Sequence, residues 1–448
     1  MSRPTPLSGF PELLPAQRSA ELAVIDRLRH VFELHGFASV ETRAAEPLDV
    51  LLEKGEIDKE VYILRRLQAD DDASDSGLGL HYDLTVPFAR YVLENAGRLE
   101  FPFRRYQIQK VWRGERPQEG RYREFTQADV DVVARDELPF HFDIEVARVM
   151  GEALARLPLP PLRLQVNNRK LIEGFYRGLG APDPAPVIRL ADKLDKHSPD
   201  QVKASMVSEA GLTAAQADAC LALAEIVTPD AGFVERVRAL GVEHDLLDVG
   251  LAELQAVVEG CADVHREGFA VEANLRIARG LDYYTGTVFE IFMTGYESLG
   301  SVGAGGRYDA LASDGSTTYP GVGISFGISR TLVPLFNRGL LMSSRAVPSA
   351  VLVAVVDEDS RAASTTIAQH LRARDIPTEV AVAPQRYGKQ IRYAERRGIP
   401  FVWFPGADRA SDEVKDIRSG EQVPADADVW APPDEDLRPS VIAKEPAQ

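Results

Sequence analysis

The most constraining feature of the chain lies between residues 103 and 133, where two runs of alternating side chains flank a turn-prone link, 114–120, that contains Gly114, Pro117 and Gly120. Successive side chains of a strand point to opposite faces. Counting by twos along the second run therefore puts Gln127, Asp129 and Asp131 on one face and Ala128, Val130 and Val132 on the other. Gln107, Gln109 and Arg113 share a face of the first run in the same way. The pattern predicts a long antiparallel hairpin with one packing face and one polar face. By pattern alone it is either an ordinary half-solvated hairpin or a sheet whose polar surface does chemistry.

The rest of the chain is read around this hairpin. Residues 17–35 carry Leu22, Ile25, Leu28 and Phe32 at helical spacing and stop at Gly36, and 37–42 reads as a strand. The Asp- and Ser-rich segment 68–79 reads as a loop. Residues 188–259 are mostly helical in spacing, without strand signals, and strands return at 269–292 and 321–328. The expected architecture is an α+β domain on an antiparallel sheet, residues 1–187 and 260–336, interrupted by a helical insertion at 188–259 that forms a separate lobe. Beyond a change of pattern at 337–349 the elements alternate: strand 350–356, helix 361–374, strand 379–383, helix 387–397, strand 401–404. A small α/β domain over 346–429 follows from that alternation. Residues 430–448, with four prolines and no periodicity, are read as a tail.

At 448 residues and 45% hydrophobic, the chain is long enough for more than one core. It has no apolar stretch of the roughly 18–20 residues that span a bilayer, and residues 1–6 have neither a basic nor an apolar leader region, so a cytoplasmic location is expected. The two cysteines, Cys220 and Cys261, sit in helical-looking segments and suggest neither a disulfide framework nor a metal site. A net charge of -17 repels polyanions, so any nucleic-acid surface must be local. Lys389, Arg392 and Arg396 supply one such face on a predicted helix, although any solvated helix can look like this.

Candidate site residues cluster in three places. Arg113, Arg116, Arg121 and Arg123 surround the hairpin turn beside Glu115 and Glu124. Guanidinium groups grip phosphate through paired charge-assisted hydrogen bonds, so a triphosphate site is expected there. Arg279 offers a cation just before Tyr283 and Tyr284, whose rings and hydroxyls suit a small aromatic substrate. Gly303, Gly305 and Gly306 permit close backbone approach, before Tyr308.

With those residues in place a family resemblance is visible. FRRYQIQKVWRGERPQEGRYREFTQADVDVV resembles motif 2 of class II aminoacyl-tRNA synthetases in its histidyl form. ARGLDYYTGTVFEI, at 278–291, resembles the signature peptide of histidyl-tRNA synthetases. SVGAGGRYDAL, at 301–311, resembles the second histidine-specific box, and YPGVGISFGISRTL, at 319–332, resembles motif 3. HYDLTVPFARYV resembles the segment whose acidic residue meets the substrate amino group. In motif 1 Arg43 stands where the family usually has proline, and Asp83 and Asp131 stand where many bacterial relatives have glutamate.

The resemblance implies ATP-dependent activation of L-histidine to its adenylate and transfer to the 3' end of tRNA(His). It implies catalytic roles for Arg113 and Arg279 at the α-phosphate and ATP-binding roles for Arg113, Glu115, Arg121 and Arg330. Histidine would be held by Asp83, Thr85, Gln127, Asp131, Tyr283, Tyr284 and Tyr308, with Arg90 helping to build the wall. It further implies Mg²⁺ accompanying ATP with no dedicated protein metal site, an anticodon-binding C-terminal domain whose Lys389, Arg392 and Arg396 meet tRNA, and a homodimer without membrane association. Two rivals share the catalytic fold: a histidine-sensing paralog, the regulatory subunit of ATP phosphoribosyltransferase, and an adenylating enzyme that makes an amide without tRNA. Retained Arg113, Arg279, Arg330 and the C-terminal domain argue against the first, and the basic helix against the second.

Overall fold

The computed structural model describes residues 5–52, 60–67, 77–181, 183–195, 197–277, 284–407 and 411–444. The chain divides into two units, 1–11 with 27–334, and 12–26 with 335–448.

The first unit is built on a nine-stranded sheet. Its strands in chain order are β1 (Ala38–Ser39), β2 (Phe103–Trp112), β3 (Glu124–Val133), β4 (Leu162–Asn168), β5 (Val227–Thr228), β6 (Phe269–Asn274), β7 (Thr287–Met293), β8 (Gly303–Ser313) and β9 (Thr318–Gly327). They lie in the order β1-β2-β3-β9-β8-β7-β4-β6-β5. The six central strands, β2 to β4 in that order, are antiparallel, while β1 joins β2 and β6 joins β4 in parallel.

Register decides what the sheet can do. Arg105, Gln107 and Gln109 stand opposite Asp131, Asp129 and Gln127. Those three stand in turn opposite Gly323, Ser325 and Gly327. Ser325 pairs with Ala304, and Ala304 with Glu290. Side chains two apart share a face. One row on one face therefore reads Gln107, Asp129, Ser325, Ala304, Glu290: polar groups at both ends and small residues in the middle. On the other face Ala128, Val130, Val132, Val322, Ile324 and Phe326 are all buried, and the helix His141–Ala155 packs over them. Burying each of the larger of these side chains contributes on the order of 1.5–3 kcal/mol, so this face anchors the sheet. The hairpin is not half-solvated, because Asp129 and Asp131 on its polar face are 3% and 4% exposed.

The helical block contains Pro199–Ser208 and Ala214–Ala224, each started by a capping box from Ser198 or Thr213. It departs from expectation in two ways. Val227–Thr228 is a strand that pairs with β6. The block also does not part from the sheet as a lobe of its own, because its last helix, Asp245–Gly260, lies against Arg169–Gly178. A Cβ at Gly174 would sit 2.2 Å from the Leu247 backbone nitrogen, and one at Gly250 2.1 Å from that of Leu171. Two glycines thus let the helix backbones touch, a packing signal that helical periodicity does not carry.

In the second unit a five-stranded sheet runs Thr378–Val380, Val351–Val353, Phe401–Phe404, Glu413–Asp416, Gln422–Pro424, the first three parallel and the rest antiparallel. Helices Arg361–Ala373 and Tyr387–Arg397 join its strands. The stretch after 430 is not a tail. The Trp430 ring stands edge-on to Trp403 at 5.5 Å and to Phe401 at 5.3 Å. Val441–Ala443 then pairs with Leu341–Ser343. One indole and a three-residue strand hold this segment, and neither leaves a periodic trace in the sequence.

Candidate active site

Over the polar face of the sheet lies a cavity of about 380 Å³, within the range of small-ligand sites. The predicted residues Asp83, Thr85, Arg113, Glu115, Arg121, Gln127, Tyr284 and Arg330 all line it. Residues separated by more than 200 positions meet here because β3 and β9 are neighbours in the sheet.

Arg113, at the end of the first hairpin strand, donates from Nε to the Tyr82 carbonyl at 3.0 Å and stacks over Phe125 at 5.1 Å. Glu115 sits 3.8 Å from both Arg113 and Arg121. That is near enough to attract both and too far for a hydrogen bond, so Glu115 does not consume the donors a phosphate would need. Arg330 reaches the cavity from the helix Ile328–Asn337. Ser329 Oγ accepts from the Thr126 N–H at 2.9 Å, tying that helix to β3, and Arg330 itself donates to the Leu299 carbonyl at 2.6 Å. Burial, with Glu115 nearby, raises the pKa of Glu60, which stands beside the same arginines.

Carboxylates and amides also line the cavity. Asp83 accepts from the Val86 N–H at 3.0 Å, which fixes it at the start of the helix Thr85–Asn95. Gln127 donates to Ser325 Oγ at 2.8 Å, across the β3–β9 pairing. Gly323 and Gly306 give up side-chain space to their neighbours in the sheet. A Cβ at Gly323 would lie 2.0 Å from Asp131 Oδ1, and one at Gly306 2.6 Å from the Tyr284 ring. The glycines of the two boxes are therefore there to make room for neighbouring side chains.

Several expectations need correction. Asp131 and Tyr308 do not line the cavity. The Tyr308 hydroxyl donates to Asp131 at 3.0 Å, and the fully buried Arg105 reaches the same carboxylate at 2.8 Å. Burial, with the Asp131 carboxylate beside it, holds the Tyr308 hydroxyl well above its ordinary pKa. Arg90 turns away, to Glu46 at 2.7 Å and Glu94 at 2.6 Å. Arg279 and Tyr283 lie outside the described residues, as does Asp70–Asp72. Sequence reasoning placed Asp129 on the polar face without singling it out, and missed Ser325 and Glu290, all three of which line the cavity. Strict period-two counting on β9 and β7 pointed to the last two. In the second unit Lys389, Arg392 and Arg396 are exposed on their helix, while Gln390 and Ala394 are buried. Among the described residues no cluster of three or more His, Cys, Asp or Glu is arranged to hold a metal, and no helix is long and apolar enough to cross a membrane.

An antiparallel sheet carrying a ligand cavity on one face, followed by a separate α/β unit, is the fold of class II aminoacyl-tRNA synthetases. The crystal structure of histidyl-tRNA synthetase from Nostoc sp. PCC 7120 superposes with a TM-score of 0.83 at 31% identity, covering 96% of this chain and 98% of that one. The family model for histidyl-tRNA synthetase matches residues 9–331, and that for the anticodon binding domain matches 350–428. The histidine--tRNA ligases of Cutibacterium acnes and Micrococcus luteus are 58% and 56% identical, over 99% and 98% of this chain and 99% of each relative. The chain belongs to the histidyl-tRNA synthetase family. Fold alone would not have separated it from the regulatory paralog, since a Bacillus halodurans structure described as an ATP phosphoribosyltransferase regulatory subunit/histidyl-tRNA synthetase reaches a TM-score of 0.69 at 20% identity, covering 85% of this chain and 93% of that one.

Proposed function

We propose that the chain activates L-histidine with ATP and transfers it to the 3' end of tRNA(His). The observation that carries this reading is one cavity lined both by Arg113, Arg121 and Arg330 and by Asp83, Gln127 and Asp129. The first group suits a triphosphate and the second an amino acid. The amino-acid carboxylate attacks the α-phosphorus in line with departing pyrophosphate. Arg113 holds the developing charge on the phosphoryl oxygens, and Arg121 and Arg330 take the outer phosphates and the base, so catalysis is positioning and electrostatics without a covalent enzyme intermediate. Arg279 and Tyr283 join this assignment by their place in the signature peptide. Asp131 and Tyr308, expected on the same grounds to hold histidine, are buried beside the cavity and bonded to each other.

Mg²⁺ in ATP enzymes is commonly held by one or two carboxylates with the phosphates completing its shell. Glu115 and Glu290 are cavity carboxylates of that kind, and the ion would supply further neutralisation of the triphosphate. Residues 1–187 and 260–336 would carry the chemistry around the insertion 188–259, and 346–429 the anticodon contact through Lys389, Arg392 and Arg396. A cytoplasmic homodimer completes the reading, and light scattering tests the dimer.

The decisive assay is histidine-dependent exchange of labelled pyrophosphate into ATP, followed by charging of tRNA(His). Both are expected. Exchange without charging points to an amide-forming enzyme, and histidine binding with neither points to a sensor.

A further inference from the structure

We propose that Arg123 and the turn Leu7–Phe10 are positioning elements for the ATP-binding side chains, holding Glu115 and Arg121 in place without touching the nucleotide. The inference rests on the synthetase reading above. Glu115 and Arg121 both line the cavity, yet both sit on the link between β2 and β3, where the ladder has ended. Its last pair is Trp112 with Glu124, and one step further the Arg113 N–H donates to the Arg123 carbonyl at 2.9 Å. Beyond that point the link needs partners outside the ladder to keep two charged side chains at fixed places. Arg123 stands in the sequence beside the arginines that suit a phosphate, but it is not one of the residues lining the cavity. Its Nε donates instead to the Glu115 carbonyl at 3.2 Å, which ties the second arm of the link to the first.

The turn supplies the outer hold. The Gly9 carbonyl accepts from the Arg123 N–H at 2.7 Å and from the Glu124 N–H at 3.2 Å. The turn itself closes through the Phe10 N–H, which donates to the Leu7 carbonyl at 3.1 Å, with Gly9 at a φ of 84°, a conformation that favours glycine. A Cβ at Gly9 would lie 2.9 Å from both Pro117 Cγ and Arg123 Cγ, so the turn backbone lies close against both arms of the link. The Phe10 ring stands edge-on to Tyr62 at 6.3 Å, and Tyr62 opens the strand Tyr62–Leu64. Just before that strand, the Glu60 carbonyl accepts from the Gly114 N–H at 2.8 Å. Glu60 thus holds the first arm and Gly9 the second, and one aromatic contact joins the two holders. Every acceptor here is a backbone carbonyl. What these bonds fix is the course of the link, and with it the points from which the Glu115 and Arg121 side chains start.

The test uses Gly9→Ala and Phe10→Ala, which loosen the turn, and Arg123→Lys, which keeps the charge and removes the Nε donor. Ser8→Ala, on an exposed side chain of the same turn, is the control and should match wild type. Two measurements are made on each full-length variant: pyrophosphate exchange, and hydrogen exchange of the amides of 114–122. Gly9→Ala and Arg123→Lys should each raise the KM for ATP about three- to tenfold, the worth of one net hydrogen bond. Misplacement of charged groups should also lower kcat about tenfold or more. The KM for histidine should move less than about twofold. In all three variants the amides of 114–122 should lose protection while those of β2 and β3 keep theirs. A role in stability alone moves the melting temperature and both KM values together. Wild-type kinetics in Gly9→Ala and Arg123→Lys, unchanged protection of 114–122, or equal losses for histidine and ATP with a lowered melting temperature overturn the proposal. Absence of histidine-dependent pyrophosphate exchange in the wild type overturns the synthetase reading instead, and amide protection in the variants still decides whether the turn holds the link.

Discussion

Replacing Asp131 with Asn tests whether this carboxylate is a strut of the sheet. Arg105 is fully buried and its nearest anion is Asp131 at 2.8 Å, with Asp129 next at 3.9 Å. Breaking a buried ion pair from one side costs about 3–5 kcal/mol, because the remaining charge stays desolvated. Part of that returns, since removing Asp131 also removes a charge that raises the Asp129 carboxyl. Asp129, 3.9 Å away, can then take over the guanidinium and recover on the order of 1 kcal/mol. The net destabilisation is then about 2–4 kcal/mol. For a unit of this size it corresponds to a drop on the order of 5–10 °C in melting temperature. Urea and thermal unfolding, with hydrogen exchange read in peptides of β2 and β3, measures the change where it arises. Adding Arg105→Met removes the orphaned charge, and the double variant should recover much of the loss. Stability within about 0.5 kcal/mol of wild type for the single variant, or a double variant no better than the single, refutes the strut.

Three further outcomes are expected. Gly323→Ala forces a methyl to within 2.0 Å of Asp131 Oδ1 and 2.8 Å of the Val130 carbonyl, so histidine-dependent exchange should be lost, as exchange assays on the folded variant will show. Arg113→Ala and Arg279→Ala should each lower exchange by about 10²–10³ while leaving histidine binding, measured by calorimetry, largely intact. Burial pushes both Cys220 and Cys261 up to about 12, so neither should react with a thiol reagent at pH 8 in the native protein, and both should react once urea unfolds it.

Much of this was legible in the chain. The polar face of the hairpin, the glycines of the two boxes and the helix Tyr387–Arg397 all arise from local rules, alternation along a strand or spacing along a helix, which act within a few residues. Residue types point to chemistry in the same way: arginines beside a turn suit a phosphate before any fold is known. What each polar residue faces is a different matter. Asp129 and Asp131 are two positions apart on one face of one strand, and nothing in their neighbours says what each pairs with. Arg105 on β2 and Tyr308 on β8 both reach the Asp131 carboxylate, and only the folded sheet brings them there. The closeness of Asp245–Gly260 to Arg169–Gly178, and the anchoring of the last segment by Trp430, were decided likewise. Burial, hydrogen-bond partnership and pKa are properties of pairs brought together by packing, whereas periodicity is a property of the strand or helix alone.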